Sequence, residues 1–222
     1  MTANEARSKS STDEWKSTGH ALAYLARADK IPHRAEGERV LLDHVPLDAG
    51  RILDLGSGDG RLLALLRVDR PNFEGIAMDF SGAMLDAARR RFATDRGLKV
   101  IKHDLNLPLP ASLGKFDAIV SSFAIHHCPH NRKRALYGEV FEHLAPGGFF
   151  CNLDHVASPT PALHVRFLNA IGSTPETEDR SNKLLDVETQ LGWLRSIGFS
   201  DVDCYWKWLE LALLIGLKPE SE

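Results

Sequence analysis

The stretch that decides the fold is RILDLGSGDGRLL, residues 51–63. Its first five residues are mostly apolar, which is typical of a buried strand in a parallel sheet. A glycine then stands at every second position, Gly56, Gly58 and Gly60, and a helical apolar pattern follows. Glycine lets the backbone pass close to a ligand, and a helix start presents unpaired N–H groups. The stretch therefore predicts a strand, a turn that fits a nucleoside-sized ligand, and a helix.

The same alternation of strand, turn and helix continues along the chain. It predicts an α/β fold with a parallel sheet and helices on both of its faces. Predicted strands are 51–55, 74–78, 99–103, 116–121 and 149–153, and predicted helices between them are 61–67, 81–92 and 132–144. A further helix is predicted at 187–197, and a β pair at 199–206 and 209–215.

Three carboxylates stand at or near the ends of the first three predicted strands: Asp54, Asp79 and Asp104. The carboxyl ends of parallel strands meet at one edge of a sheet, and ligands bind at that edge. Asp79 follows Gly60 by nineteen residues, which suits a carboxylate that accepts hydrogen bonds from ribose hydroxyls. A helix-capping role is the alternative for Asp79, although Ser81 could fill it instead.

The glycine spacing bears on which cofactor this turn would take. A dinucleotide fingerprint has the form G-x-G-x-x-G, whereas this chain has Arg61 where the last glycine would fall. NAD and oxidoreduction are therefore a less favoured reading. Glycine-rich turns also occur in sheets that bind nothing, so this turn alone does not establish a ligand site. The motifs elsewhere in the chain are needed as well.

Five motifs follow one another in register within residues 37–154. They are Asp54-x-Gly56-x-Gly58-x-Gly60, Met78-Asp79-Phe80-Ser81 with Met84, His103-Asp104-Leu105, Phe116-Asp117-Ala118-Ile119-Val120-Ser121 and Leu144-Ala145-Pro146-Gly147-Gly148. Together they resemble the motifs of class I S-adenosylmethionine-dependent methyltransferases. The resemblance implies a Rossmann-like sheet of seven strands, mostly parallel, with an antiparallel strand near the carboxyl terminus. It also implies S-adenosylmethionine as cofactor and methyl transfer as the activity.

The resemblance further implies roles for individual residues. The glycines would line the methionine part of the cofactor, Asp79 would hold the ribose, and Phe80 and Met84 would flank the adenine. Asp104 and the Leu105 backbone would bind the adenine amino group. Other predicted cofactor contacts are Asp54, Ser57, Ser121 and Arg34. The stretch 206–212 also resembles small-molecule methyltransferases and synthases that carboxylate the cofactor's methyl group.

Histidines follow the fourth and fifth predicted strands, where an acceptor would face the methyl group. His126 and His127, with His155 as a second candidate, could take a proton from an oxygen or nitrogen nucleophile near pH 7. Capping a turn or packing beneath the cofactor is the plainer alternative. Adjacent side chains rarely converge on one metal, so we predict no zinc at these histidines.

The acceptor is predicted to be a small molecule that is methylated on oxygen, nitrogen or carbon. A net charge of −3 and a pI near 6.4 give no basic surface of the kind that nucleic acid needs. The fourth strand also lacks the Asn/Asp-Pro-Pro-aromatic signature of related enzymes that methylate amide and exocyclic nitrogens. A protein that binds the cofactor without catalysis is an alternative of another class.

The predicted organisation is one domain, residues 15–222, after a disordered tail at 1–14. Residues 15–48 are expected to form lid helices, with Trp15 and His20 as weaker candidate contacts, and 155–183 to form a substrate-side insertion. The amino terminus lacks the apolar segment of a secretion signal, and no apolar run is long enough to span a bilayer. We therefore expect a cytoplasmic monomer or homodimer.

Overall fold

The computed structural model describes residues 31–220, and within them the chain forms one seven-stranded sheet. The strands are β1 Arg51–Leu55, β2 Glu74–Asp79, β3 Leu98–Lys102, β4 Phe116–Ser122, β5 Leu144–His155, β6 Ser200–Trp208 and β7 Leu211–Leu217. Their order is β3-β2-β1-β4-β5-β7-β6. Strand β7 runs antiparallel to both of its neighbours, and the pairings among β1 to β5 are parallel. The predicted fold class is confirmed.

Helices cover both faces of the sheet, as the sequence predicts. They are α1 Arg34–His44, α2 Arg61–Asp69, α3 Gly82–Arg91, α4 His130–His143, α5 Pro161–Ala170 and α6 Val187–Ile197. One buried core joins the sheet to α1, α2 and α3, and a second joins its other face to α4 and α6. The sheet is therefore buried on both sides, which explains why its central strands are nearly continuous apolar runs.

Some predicted ends move by a few residues in the structure. Strand β5 begins at Leu144 rather than 149, because Leu144 already pairs with Phe116 before a register shift in the ladder. The helix predicted at 132–144 runs from His130 to His143. The terminal pair lies one to two residues further along the chain than predicted. Shifts of one or two residues are expected where helices and strands fray, whereas the earlier start of β5 comes from its pairing with β4.

The predicted lid falls only partly within the described residues. Trp15 and His20 lie outside them, whereas α1 packs against β5, β6 and β7. A Cβ atom on Gly37 would lie 2.8 Å from side-chain atoms of Leu153 and Trp206, so this helix is in close contact with the sheet. The described helix therefore belongs to the core, and its first residue, Arg34, lines a cavity at the carboxyl ends of the strands. Within residues 31–220 no helix combines the length and apolar character that membrane crossing needs.

Candidate cofactor and acceptor sites

The turn between β1 and α2 depends on its glycines. Gly56, Gly58 and Gly60 have φ angles of 67°, 54° and 81°, which side chains rarely adopt. A Cβ at Gly56 would lie 2.2 Å from the Cβ of Ala124, and one at Gly60 would lie 2.4 Å from Cε2 of Phe92. The alternating glycines are thus required by backbone conformation and, at two positions, by space.

Asp79 ties this turn to the neighbouring strand. Its Oδ2 accepts a hydrogen bond from the Gly58 N–H at 2.9 Å, and its Oδ1 accepts one from the Ser81 N–H at 2.8 Å. Burial raises the pKa of Asp79, and the N–H donors of Ser81 and Gly58 oppose that shift. Ser81 precedes α3 without a side-chain capping bond. Asp79 therefore fixes the turn locally and lies at the wall of the cavity above it.

The first cavity opens above the glycine turn and brings together most of the predicted cofactor residues. Those that line it are Arg34, Asp54, Gly56, Ser57, Gly58, Asp79, Phe80, Met84, Asp104 and Leu105. Two predicted residues lie elsewhere. The Ser121 hydroxyl donates to the Leu55 carbonyl at 2.8 Å and is fully buried, and Gly60 shapes the start of α2. Ser122, the next residue of β4, lines the cavity instead.

Asp54 has no protein partner for its carboxylate among the described residues, although it is only 1% exposed. Burial raises its pKa well above the ordinary value, and the nearby charges of Asp79 and Asp59 add to this effect. The Ser57 hydroxyl, on the same cavity wall, is likewise without a partner in the described part of the chain. Buried polar groups are normally hydrogen-bonded, so this wall is suited to a ligand that donates hydrogen bonds.

A buried glutamate that the sequence reasoning did not single out organises the positive side of the same cavity. Glu38 is 3% exposed and accepts from the Arg34 Nε at 2.8 Å and from the Arg61 Nη2 at 3.1 Å. Both guanidinium groups line the cavity. One carboxylate holds two cations there, which suits an anionic group on the ligand. In the sequence, the i,i+4 spacing of Arg34 and Glu38 is the feature that indicates this ion pair.

The predicted catalytic histidines lie beside one another at the ends of β4 and β5. His126 Nδ1 lies 2.5 Å from Asp154 Oδ1, and both residues are buried. His127 Nδ1 lies 2.8 Å from the Ser181 hydroxyl, which donates to Asp179 at 2.7 Å. The two imidazole rings are 4.0 Å apart between centroids. Each histidine therefore has its own orienting partner.

His155 belongs to a second polar network. Its Nε2 lies 2.8 Å from Oε2 of Glu210, a glutamate that is fully buried. His164 on α5 bridges Glu210 and Glu178, at 3.0 Å through Nδ1 and 3.1 Å through Nε2. Burial lowers the pKa of His164, but the hydrogen bonds and charges of the two glutamates outweigh it and the pKa is raised. Sequence reasoning missed His164 and Glu210, because only folding brings residues 46 positions apart into contact.

A second cavity adjoins the first. Its described lining is Ile31, Phe123, His126, His127, His155, Phe167, Leu168, Ile171, Ser173, Glu178, Asp179, Asn182 and Leu211. Phe123 and His127 line both cavities. Most of the other residues come from the segment 155–183, so this segment shapes the second cavity.

The three predicted bases differ in protonation chemistry. Burial and the neighbouring His126 lower the pKa of His127 to about 3, so this imidazole is neutral at pH 7 but accepts protons weakly. Burial also lowers the pKa of His155. Burial acts to raise the pKa of Asp154, yet His126 and Lys133 outweigh it, and the carboxylate stays ionised beside His126. Geometry favours His126 as the candidate base, because Asp154 orients its ring through Nδ1 and the ring lines the second cavity. This role stays a prediction. In residues 31–220 no three histidine, cysteine or acidic side chains are arranged to hold a metal ion.

The sheet order and the cavity at the carboxyl ends of β1 and β2 define an α/β protein that binds a nucleotide-like cofactor. A family model described as a methyltransferase domain matches residues 52–148. Demethylmenaquinone methyltransferase from Clavibacter sepedonicus is 29% identical over 173 residues, 71% of this chain and 69% of that protein. Carboxy-S-adenosyl-L-methionine synthase from Helicobacter hepaticus is 25% identical over 211 residues, 85% of this chain and 87% of that protein.

Among solved structures, PigF with SAH has the same fold. Its TM-score is 0.72 at 16% identity, and the match covers 96% of this chain and 64% of that chain. At this identity PigF shows only the fold. Through the match at residues 52–148 and the relatives above, this chain carries a methyltransferase domain of the class I S-adenosylmethionine-dependent type. It is a methyl-transferring enzyme with S-adenosylmethionine as cofactor, and the NAD alternative is set aside.

Proposed function

We propose that this enzyme transfers the methyl group of S-adenosylmethionine, bound in the first cavity, to a small molecule bound in the second. The observation that carries the proposal is that the two cavities meet at Phe123 and His127, directly after β4. A cofactor in one cavity and an acceptor in the other would then approach each other at this junction. Such proximity supplies much of the catalysis in methyl transfer.

The residues of the first cavity fit the parts of this cofactor. Asp54 and the Ser57 hydroxyl, which lack protein partners in the described chain, would accept from its ammonium group. Arg34 and Arg61, both held by Glu38, would bind its carboxylate. Asp79 would accept from the ribose hydroxyls. Other predicted contacts are Phe80 and Met84 for the adenine ring and Asp104 with Leu105 for its amino group.

The bound cofactor supplies a methyl group on a sulfonium, which is already an activated leaving group. The protein has to orient the acceptor, exclude water and, for a hydroxyl or amine acceptor, remove a proton. His126 would take that proton on Nε2, because Asp154 engages its Nδ1. Asp154 would then stabilise the imidazolium that forms. His127 would serve as a neutral wall between the two cavities.

The relatives favour one further candidate. The match to carboxy-S-adenosyl-L-methionine synthase runs over most of both proteins, so a reaction that carboxylates the cofactor's methyl group is the second candidate. The acceptor is proposed to be a small molecule rather than nucleic acid. We also propose a cytoplasmic monomer or homodimer, in keeping with three cysteines that are all free thiols.

Titration calorimetry with S-adenosylmethionine tests the cofactor site. We expect Asp79→Ala to weaken binding by about 1–3 kcal/mol, because ribose hydroxyls and the Gly58 N–H lose their acceptor. Asp86→Ala, an exposed carboxylate on α3, is the control and should leave affinity unchanged. Equal affinities of wild type and Asp79→Ala would contradict the placement of the ribose.

Turnover separates the two candidates. Transfer of label from methyl-labelled cofactor to an extract of small metabolites would support methyl transfer. A cofactor recovered with an added carboxyl group, identified by mass spectrometry, would support the synthase instead. Tight cofactor binding with neither product would contradict both candidates.

A further inference from the structure

The second cavity has an apolar floor. Phe167 and Leu168 from α5 and Leu211 from β7 form a small buried cluster there, and Phe123 and Ile171 pack against it. A cavity of this kind binds the apolar body of a ligand and uses a few polar groups to orient it. The floor therefore predicts that most of the acceptor's surface is apolar.

The polar rim of the cavity is acidic. Glu178 accepts from the Asn182 side chain at 3.2 Å through Oε1 and pairs with His164 at 3.1 Å through Oε2. Asp179 accepts from the Ser181 N–H at 2.8 Å as well as from its hydroxyl. These contacts hold both carboxylates in place. Among the described residues that line this cavity there is no lysine or arginine.

Among the described residues, the groups behind the rim do not reverse this charge. Asp154 and Glu210 are buried behind His126 and His155. Lys133 donates to the Lys183 carbonyl and faces Asp154, so its charge is opposed by that carboxylate. His164 lies between two glutamates. Burial lowers the pKa of both His127 and His155, so these rings bring no positive charge at neutral pH.

One side of the first cavity is positively charged instead, because Arg34, Arg61 and Arg91 all line it. A carboxylate on the cofactor would find cations there. An anionic group placed in the second cavity would lose its hydration and face Glu178 and Asp179 instead. Unpaired buried charge and like-charge contacts both oppose binding, and this is a common basis of specificity.

We propose that the second cavity selects an uncharged, largely apolar acceptor and rejects anionic compounds of the same shape, with Glu178 and Asp179 setting that selection. The proposal rests on the proposed function, since it takes this cavity as the acceptor site. It narrows the acceptor class to neutral molecules with an apolar body and a group that can be methylated.

Three related probes test the selection on enzyme saturated with S-adenosylhomocysteine. They are 2-naphthol, 6-hydroxy-2-naphthoic acid and the methyl ester of that acid, so that the ester matches the acid in size but not in charge. Calorimetry at pH 7.5 should show the two neutral probes binding at least about tenfold more tightly than the acid. Glu178→Gln and Asp179→Asn should each lower the ratio of ester affinity to acid affinity by about threefold or more. Glu176→Gln, an exposed carboxylate in the same segment and outside the cavity lining, should leave that ratio unchanged.

The outcomes are separable. If S-adenosylhomocysteine does not bind the wild-type protein, the proposed function fails. If it binds, and the acid binds as tightly as its ester or neither neutral probe binds, the selection proposed for the second cavity is wrong. A ratio unchanged by both Glu178→Gln and Asp179→Asn would show that these two carboxylates do not set it.

Discussion

At the scale of single residues, four histidines around one cavity differ because their neighbours differ. His126 is paired with an ionised carboxylate, Asp154. His127 meets a hydroxyl and another imidazole in a buried place, and its pKa falls. Burial lowers the pKa of His155 despite its bond to Glu210. The pKa of His164 is raised, because this ring is more open and lies between two glutamates. Residue type alone therefore does not identify a base, and the environment of each ring decides its chemistry.

His127 makes the stability of the fold depend on pH. Its folded pKa of about 3 lies below the ordinary 6.5, so the unfolded chain binds more protons between these values. Stability is then present above pH 6.5 and is lost as the pH falls towards 3. The groups that face it are His126, Asp154 and Asp179, and their coupling makes the effect a property of the cluster.

Replacing His127 by asparagine, which can keep the bond to Ser181, should remove part of this dependence. Between pH 7.5 and pH 5.0 the wild type should lose up to about 2 kcal/mol more stability than His127→Asn, at 1.36 kcal/mol per pH unit below 6.5. Urea unfolding at the two pH values measures the difference. His130→Asn, at an exposed histidine, is the control. The same loss of stability in wild type and His127→Asn would contradict the assignment.

At the scale of elements, the sequence predicted those features of the fold that depend on local sequence pattern. The strand, glycine turn and helix at 51–69 were predictable, since positive φ and close approach leave only glycine at alternate positions. The insertion of β7 between β5 and β6 was not, because strand pairing is decided by contacts distant in sequence. Glu178 and Asp179 lie in the segment 155–183, which was predicted as a substrate-side insertion, but no local signal singled out these two carboxylates. Glu38 and Glu210 were missed for the same reason.

The glycine turn should tolerate no side chain at its first position. Gly56→Ala places a Cβ 2.2 Å from Ala124 and requires a φ of +67°, so it should lower the free energy of unfolding by roughly 2–4 kcal/mol. Gly138→Ala in α4 meets no atom within 4 Å and has helical backbone. That control should raise stability by about 0.5–1 kcal/mol, the difference in helix propensity. Urea unfolding measures both, and a Gly56→Ala protein as stable as wild type would contradict the described turn.

At the scale of the whole molecule, the two cavities occupy one edge of the sheet and differ in their basic residues. Three arginines line the first, and among the described residues no lysine or arginine lines the second. The first lies where the strand order reverses between β1 and β4, with Asp54 and Asp79 from adjacent strands and Ser122 from β4. Open α/β sheets bind ligands at this point because loops from the two sides diverge there. The second cavity is added by the segment 155–183 against β7. The common fold thus provides the proposed cofactor site, and the proposed acceptor site comes from the part that the motifs do not cover.

Cofactor binding should therefore stabilise the whole domain, since the glycine turn, Asp79 and Arg34 come from different parts of it. A ligand that binds only the folded state at 100 times its Kd adds about 2.7 kcal/mol. For a domain of this size that corresponds to a rise of roughly 5–10 °C in Tm. We expect S-adenosylhomocysteine, at 100 times the Kd from calorimetry, to give such a rise in differential scanning calorimetry. NAD at the same concentration should give none, because Arg61 occupies the place of the last fingerprint glycine. An equal rise with NAD would mean that the turn accepts any nucleotide. The roles proposed for Asp54 and for Glu38 with Arg34 and Arg61 would then have no support.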